Sequence, residues 1–285
     1  MLIETVSRKS MLIRESGRST DYISPSFGHG CLYNCSYCYM KRHKSTGLSI
    51  ANNTEQILDM INRHCAFADV EKPNQTHAEY ITYDISCNED FALHAKYHKW
   101  RRIFDFFKYH PQAMGSFATK YVNVDLLDYD PQGKMRIRFS LMPDEYSKIL
   151  EPNTTSIDRR IKAIDAFIDA GYDVHINFSP VIVTDGWLEK YEELFQRVAD
   201  VVDYKDVVKA EVIFLTHNKE KHIYNLINEL PGEDLLWNPD IQEDKISQYG
   251  GKNLRYKYNL KSQFIKEWKA LHDSIIPWNT IRYIF

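Results

Sequence analysis

Three of the five cysteines fall within eight residues, at Cys31, Cys35 and Cys38. An odd number of cysteines in a chain without an export signal argues against a disulfide framework. A structural zinc site usually pairs a C-x2-C turn with a second pair of ligands, and none follows here. Three thiolates on one short loop can instead hold three irons of a 4Fe–4S cluster and leave the fourth iron open. The spacing therefore favours an iron–sulfur site, and a zinc loop in a nucleic-acid-binding protein without enzyme activity is the alternative.

The sequence predicts strands and helices that alternate along the chain. These elements must position the cysteine loop and the residues that act with it. Apolar and β-branched runs predict strands over residues 22–27, 79–86, 116–121, 136–141, 173–183 and 207–214. Apolar residues at helical spacing predict helices over residues 54–67, 97–109, 187–199 and 217–230, with one more between Thr155 and Gly171. Repeated strand–helix units with buried strands predict a parallel sheet, open or curled into a partial barrel.

The ends of the predicted strands carry the other candidate residues. The cysteine loop follows the first strand, Cys87 follows the second, Lys120 ends the third, and Ser140 lies on the fourth. Chemistry in parallel α/β folds is located at the C-terminal ends of the strands. We therefore expect these side chains to converge.

The pattern changes after Pro231. Residues 231–250 contain Gly, Pro and acidic residues without a clear period. The predicted elements beyond them are one arm of a hairpin, a helix and a strand, at residues 252–259, 261–271 and 280–285. We expect an α/β domain over residues 1–230 and a hairpin and helix extension over residues 231–285, packed on the same core.

The composition is that of a folded protein, with 44% apolar and 26% charged residues. Charged residues interrupt the apolar runs of the N-terminus, so we expect no secretory signal. No stretch of the sequence approaches the roughly 18 uncharged apolar residues that a membrane helix needs, so we expect no membrane span and a cytoplasmic location. A net charge of −3 gives no bulk attraction to nucleic acid. The run Lys41, Arg42, His43 and Lys44 is either a solvated loop or a rim that faces phosphates.

The loop GCLYNCSYCYM resembles the cluster loop of radical S-adenosylmethionine (SAM) enzymes, and in particular that of the spore photoproduct lyase family. Members of that family reverse a thymine dimer in DNA. The segment ISCNED resembles the family's A-C-x-S-D segment, and FATKY and RIRFSL resemble two of its strands. Further similar segments extend the resemblance over about residues 24–215, with a looser similarity in YGGKNLRYKY and IRYIF.

The resemblance implies the cofactors and the fold. Cys31, Cys35 and Cys38 would hold a 4Fe–4S cluster, and SAM would chelate the open iron. One electron would cleave SAM and give a 5'-deoxyadenosyl radical, while the protein positions the reactants and excludes water. The implied fold is α/β, a partial (β/α)6 radical SAM barrel with a C-terminal β-hairpin and helix extension.

The resemblance also implies roles for residues outside the cluster ligands. Cys87 matches the cysteine that returns a hydrogen atom to the product, a role for which a protonated thiol with a weak S–H bond is suited. Tyr37 and Tyr39 match the tyrosines that relay the hydrogen back towards SAM. Without the resemblance, ordinary packing beside a cluster is an equal alternative for both. The positions that match SAM contacts are Tyr37, Asn88, Lys120 and Ser140.

The expected DNA contacts lie after the cluster and in the tail, at Lys41, Arg42, Tyr249, Lys252 and Arg255. Two departures from the family favour a different substrate. The family has a basic residue before Tyr-Gly in its hairpin, where this chain has Gln248. The chain also begins only 30 residues before Cys31, so we expect a shorter N-terminal region than the family's.

The predicted function is a DNA repair lyase that returns the spore photoproduct to two thymines. The alternative is a radical SAM enzyme of the same subgroup that modifies another nucleobase, nucleotide or peptide. The expected partners are DNA or a thymine-containing nucleotide and an electron donor such as flavodoxin or ferredoxin. We expect a monomer without membrane contact.

Overall fold

A computed structural model describes residues 3–38, 40, 47–68, 72–246 and 250–285. These residues form two compact units. The first unit comprises residues 1–32, 44–139 and 163–175, and the second comprises residues 33–43, 140–162 and 176–285. The domain boundary expected at residue 230 stays a prediction.

The strands, in chain order, are β1 (Ile3–Val6), β2 (Arg14–Glu15), β3 (Tyr22–Ile23), β4 (Gly28–Gly30), β5 (Leu48–Ala51), β6 (Ile81–Asp84), β7 (Ala113–Thr119), β8 (Met135–Leu141), β9 (Asp173–Val181), β10 (Lys209–Phe214), β11 (Thr216–Asn218), β12 (Gln242–Ile246), β13 (Lys252–Tyr256) and β14 (Thr280–Ile284).

The helices alternate with the central strands. The α-helices are Thr54–Phe67, Phe91–His94, Trp100–Tyr109, Asp144–Leu150, Ile157–Asp169, Trp187–Val201, Lys219–Ile227, Glu233–Leu236 and Tyr258–Ile275. Short 3-10 turns span Ala95–Tyr97 and Val124–Leu126. In the part of the chain that the structure describes, no helix combines the length and the hydropathy that crossing a membrane requires.

The first unit is built on parallel strand pairs. β3 pairs with β6, β6 with β7 and β7 with β8, all in parallel, and β2 adds an antiparallel edge to β3. Every residue of β8 is buried, as expected for a parallel sheet that is covered on both faces. A separate small sheet joins β1, β5 and β4. The predicted parallel α/β arrangement is therefore confirmed.

The two faces of β8 carry different side chains. Ile137 and Phe139 are buried on one face, and Arg136 and Arg138 alternate with them on the other. Within the first unit, Arg136 Nε donates to an Asp173 oxygen at 2.7 Å. Arg138 Nη2 donates to an Asp84 oxygen at the same distance, 2.7 Å. Each buried guanidinium thus has a carboxylate partner, which offsets the cost of removing it from water.

The strands of the second unit fall into two groups. β14 pairs in parallel with β10, and β9 lies on the other side of β10. β13 pairs in antiparallel fashion with both β11 and β12. The predicted hairpin arm at residues 252–259 is thus part of a three-stranded sheet, and the predicted helix at 261–271 extends to Tyr258–Ile275.

Local sequence explains where the predicted elements agree with the structure and where they differ from it. The helix Thr54–Phe67 and the strand β8 were predicted almost to the residue because their apolar periodicity is local. Of the strand predicted over residues 22–27, only Tyr22–Ile23 is a strand, β3. β3 ends before Ser24-Pro25, because proline cannot donate a ladder hydrogen bond, and the following β4 belongs to the small sheet.

Trp268 organises the core of the second unit. Its side chain is fully buried, with ring centroids 5.3 Å from Phe178, 5.1 Å from Phe195 and 6.1 Å from Tyr191. The helix Tyr258–Ile275 that carries it packs on the helix Trp187–Val201. This aromatic cluster attaches the tail of the chain to the second unit.

We expect Trp268→Ala to lower the free energy of unfolding by about 3–5 kcal/mol, because it removes a buried indole and leaves a cavity. Urea denaturation followed by circular dichroism measures the loss. Phe67→Ala is the control, since Phe67 is 87% exposed, and we expect a change within about 0.5 kcal/mol. A loss below about 1 kcal/mol for Trp268→Ala would contradict this description of the core.

Candidate active site

Backbone hydrogen bonds fix the second half of the cysteine loop inside the second unit. The Cys38 N–H donates to the Cys35 carbonyl at 3.1 Å. Between them, the Ser36 N–H donates to the Leu150 carbonyl at 2.8 Å, and the Ser36 carbonyl accepts from Asn225 Nδ2 at 2.9 Å. Cys35 is buried, and Cys38 is partly exposed. The backbone between the two thiols is therefore held in place by residues far away in sequence.

The residues on either side of Cys31 are fixed inside the first unit. The Gly30 N–H donates to the Asn88 carbonyl at 3.0 Å, and the Leu32 N–H donates to His94 Nε2 at 3.3 Å. The loop therefore begins beside the segment that follows β6, which carries Cys87. Cys31 itself is partly exposed.

The donor set fits an iron–sulfur cluster. All five cysteines are described, and none of them forms a disulfide. Thiolates are the ligands that such clusters use, and three of them leave one iron for SAM. The loop is fixed between Cys35 and Cys38 by hydrogen bonds of Ser36, which use the backbone atoms and the hydroxyl of that serine. The assignment of the cluster to Cys31, Cys35 and Cys38 stays a prediction.

Asn225 belongs to a buried polar group that sequence reasoning missed. Glu233 Oε1 accepts from His217 Nε2 at 2.9 Å and from His222 Nδ1 at 2.5 Å, and Glu233 Oε2 accepts from Asn225 Nδ2 at 2.6 Å. Burial opposes ionisation of Glu233, but these hydrogen bonds outweigh it and lower the pKa of the carboxyl. The ionised carboxylate orients the Asn225 amide that holds Ser36.

Tyr37 donates a hydrogen bond to Glu151, a partner 114 residues away in sequence. Glu151 also accepts from Arg160 Nη2 at 2.9 Å, and both charged side chains of that pair are fully buried. Burial and the neighbouring Glu151 charge raise the pKa of Tyr37 well above its ordinary value. The phenol therefore keeps its proton, which a hydrogen-atom relay requires. Tyr39, the other predicted relay residue, lies outside the described residues.

Cys87 follows β6 in a tight turn, in which the Glu89 N–H donates to the Ser86 carbonyl at 3.1 Å. Asp90 fixes the end of this turn, because its carboxylate accepts from the hydroxyl of Thr119 at 2.7 Å and from the Lys120 N–H at 2.9 Å. The turn that carries Cys87 is thus attached to the end of β7. The thiol is partly exposed.

Three of the predicted SAM contacts lie on or after strands of their own units, and the fourth, Tyr37, lies in the cysteine loop. In the first unit, the Asn88 amide donates to the Ser26 hydroxyl, and Lys120 directly follows β7. In the second unit, Ser140 is buried and its hydroxyl accepts from Asn177 Nδ2 at 3.4 Å. The first unit therefore brings the residues next to Cys31 close to the segment that carries Cys87 and Asn88. The contacts with SAM stay predictions.

The predicted DNA contacts are only partly within the described residues. Lys41, Arg42 and Tyr249 lie outside them. Lys252 is exposed and Arg255 is partly buried, and both lie on β13 in the three-stranded sheet. Their contact with DNA stays a prediction.

Glu89 is buried beside Cys87, at a position where the family segment A-C-x-S-D has serine. Its Oε2 accepts from His94 Nδ1 and His98 Nε2, each at 2.9 Å. Burial alone would raise the pKa of this carboxyl, but the two histidines lower it to about 2. Gly28 makes room for the group, since a Cβ there would lie 2.2 Å from Glu89 Oε2.

Comparison with protein families gives one match along nearly the whole chain. The family model described as spore photoproduct lyase matches residues 2–285. The chain is 30% identical over 283 residues to the spore photoproduct lyase of Bacillus subtilis (strain 168), covering 97% of this chain and 80% of the relative. It is 27% identical over 272 residues to the enzyme of the same name from Geobacillus sp. (strain Y412MC61), covering 94% and 76%.

Solved structures confirm the fold. A spore photoproduct lyase mutant with dinucleoside spore photoproduct superposes with a TM-score of 0.88 at 21% identity, covering 99% of this chain and 82% of the other. A protein named anSMEcpe, solved with bound AdoMet, gives a TM-score of 0.51 at 13% identity over 92% of this chain and 63% of the other. The predicted radical SAM α/β fold is therefore confirmed.

The lowered pKa of Glu89 predicts a pH-dependent contribution to stability. An acid whose pKa falls on folding stabilises the fold above its unfolded pKa, and this stabilisation disappears as the pH falls through the folded value. The relevant window lies between the ordinary value of 4.5 and about 2. We expect the difference in Tm between the parent protein and Glu89→Gln to be largest near pH 6 and to shrink steadily towards pH 2.

Thermal melts of both proteins between pH 2 and pH 6 measure this difference. Glu55→Gln is the control, because the Glu55 side chain is exposed and pairs only at the surface with Arg102. We expect it to change the Tm little at any pH. A constant difference between the parent and Glu89→Gln over this range would contradict the buried carboxylate–histidine group.

Proposed function

Because the chain belongs to the spore photoproduct lyase family, we propose that it is a radical SAM enzyme that returns the spore photoproduct to two thymines. The family match over residues 2–285 carries this proposal. The matched region contains the three-cysteine loop and Cys87. The relatives bear the name of the lyase, and solved structures of that name hold dinucleoside spore photoproduct.

The proposed reaction requires an iron–sulfur cluster and SAM. We assign the cluster irons to Cys31, Cys35 and Cys38. When bound, the cluster and SAM supply a carbon-centred radical that takes a hydrogen atom from a methylene group of the thymine dimer. The carbon–carbon bond between the thymines then breaks, which restores one thymine and leaves an unpaired electron on the methylene carbon of the other.

Cys87 completes the second thymine in this proposal. Its thiol gives a hydrogen atom to the methylene carbon, which becomes the methyl group, and the sulfur keeps the unpaired electron. Tyr37 and Tyr39 would return a hydrogen atom to that sulfur. The tyrosine would regain a hydrogen atom from 5'-deoxyadenosine, so that the unpaired electron returns to the adenosyl group. Glu151 supports this role, because its hydrogen bond with Tyr37 orients the phenol and leaves it protonated. Asn88, Lys120 and Ser140 orient SAM.

The remaining assignments complete the proposal. DNA carrying the photoproduct is the substrate, and Lys41, Arg42, Tyr249, Lys252 and Arg255 contact it. A low-potential donor such as flavodoxin or ferredoxin supplies the electron. The enzyme acts as a cytoplasmic monomer.

An anaerobic repair assay tests the function. Cluster-reconstituted protein, reductant and SAM are incubated with the synthetic spore photoproduct dinucleotide, and chromatography measures the thymidylyl-thymidine formed. We expect restored dinucleotide. Release of 5'-deoxyadenosine while the photoproduct stays intact would overturn the lyase assignment and favour an enzyme that modifies another nucleobase, nucleotide or peptide.

We expect Cys87→Ala to lower the yield of thymidylyl-thymidine at least tenfold while SAM is still cleaved, since the product radical loses its hydrogen donor. Cys65→Ala is the matched control. Cys65 is a buried thiol on the helix Thr54–Phe67, 3.2 Å from the Tyr83 hydroxyl, and its loss should leave the yield within about twofold. Full repair by Cys87→Ala would contradict the proposed hydrogen return.

A further inference from the structure

A cavity of about 290 Å³ opens in the first unit beside the turn that carries Cys87. All of its lining residues belong to that unit. Ser24 and Ser26, which follow β3, form one wall together with Asn88, which follows Cys87. The residues after β3 and β6 therefore place the cavity at the C-terminal ends of the parallel strands, where chemistry is located in such folds.

Two arginines from the N-terminal segment form the other wall. Arg8 and Arg14 both line the cavity, and no carboxylate side chain is among its lining residues. Arg14 is exposed, and its Nη2 lies 4.0 Å from Cys87 Sγ. One guanidinium thus extends from the cavity to the proposed hydrogen donor.

Arg8 is held rigidly in the wall. Its Nη2 donates to the Ser49 carbonyl at 2.6 Å, and its backbone N–H donates to the Asn53 side chain at 2.8 Å. Its Nε is buried without a hydrogen-bond partner among the described residues. Arg14 has no carboxylate partner in the described part of the chain. A guanidinium with donors to spare fits an oxyanion, since its planar fork matches phosphate oxygens.

The remaining polar lining is also suited to an anion. Ser10, Ser26 and His29 line the cavity with the two arginines, and hydroxyl and imidazole groups can donate to phosphate oxygens. The photoproduct in a DNA strand carries a phosphodiester between its two sugars. The solved lyase structures hold the dinucleoside photoproduct, which lacks that group.

We propose that this cavity is a phosphate subsite in which Arg14, supported by Arg8, binds the phosphodiester of the strand that carries the photoproduct. The identity of the ligand rests on the proposed function. The contact holds the lesion next to Cys87.

The test compares two substrates that differ only in the phosphodiester. Parent protein, Arg14→Ala and Arg14→Lys are assayed with the photoproduct dinucleotide and with the photoproduct dinucleoside. A charge-assisted hydrogen bond contributes about 1.5–3 kcal/mol, so we expect Arg14→Ala to lower kcat/KM for the dinucleotide about tenfold or more. The dinucleoside should change less than about twofold, and Arg14→Lys should recover part of the loss.

Arg63→Ala is the matched control, because it removes one exposed arginine that pairs with Asp59 on a helix away from the cavity lining. It should change neither substrate. An equal loss with both substrates for Arg14→Ala would overturn the proposal, because Arg14 would then act on Cys87 or on folding. An unchanged kcat/KM for the dinucleotide would also overturn it.

Equilibrium binding separates this proposal from the proposed function. Titration of both photoproduct compounds into the cluster-loaded proteins under SAM-free anaerobic conditions gives a Kd for each pair. We expect the parent protein to bind the dinucleotide at least tenfold more tightly than the dinucleoside, and Arg14→Ala to lose that difference. The parent protein could bind the dinucleotide more tightly than the dinucleoside and yet repair neither compound. That result would support the phosphate subsite and overturn the proposed lyase function. Equal affinity of the parent for both compounds overturns the subsite.

Discussion

Parallel pairing of β3, β6, β7 and β8 is the constraint on which the first unit's part of the site depends. It places the ends of these strands at one edge, so the residues after β3, after β6 and after β7 become neighbours although they are far apart in sequence. Asp90 strengthens this arrangement, because it binds the Lys120 N–H and the Thr119 hydroxyl. The turn that carries Cys87 is thereby fixed to the strand next to it.

Other buried carboxylates also hold residues of the site in place, each within its own unit. Glu151 orients Tyr37, Glu233 orients the Asn225 amide that holds Ser36, and Glu89 anchors the His94 ring that holds Leu32. An ionised group in a protein interior is costly unless it is hydrogen-bonded, and each of these has two or more donors. Polar groups that lie outside the chemistry therefore determine where the reactive side chains are.

Features determined by local sequence could be predicted. The spacing of Cys31, Cys35 and Cys38 indicated the cluster, and apolar periodicity gave the helix Thr54–Phe67 almost to the residue. The contact between Tyr37 and Glu151 could not be predicted, because 114 residues separate the partners and the motif that marks Tyr37 does not indicate its hydrogen-bond partner. The contact between Asn225 and Ser36 spans 189 residues and was missed for the same reason.

Arg14 illustrates a further limit. Its segment has no strong periodicity, and its approach to Cys87 joins residues 73 positions apart. The fold class could be predicted because binary patterning repeats through the chain, whereas single polar contacts depend on tertiary geometry. The resemblance to a family indicated the cysteine in ISCNED, and only the structure revealed the cavity beside it.

Hydrogen return by Cys87 is the central claim, and repair in D2O tests it most directly. Thiol and phenol hydrogens exchange with solvent, so the hydrogen that Cys87 donates would be deuterium. The account predicts thymidylyl-thymidine with one deuterium in one methyl group, detected by mass spectrometry and NMR. A fully protiated product would show that the hydrogen comes from a carbon-bound source and would contradict the role of Cys87.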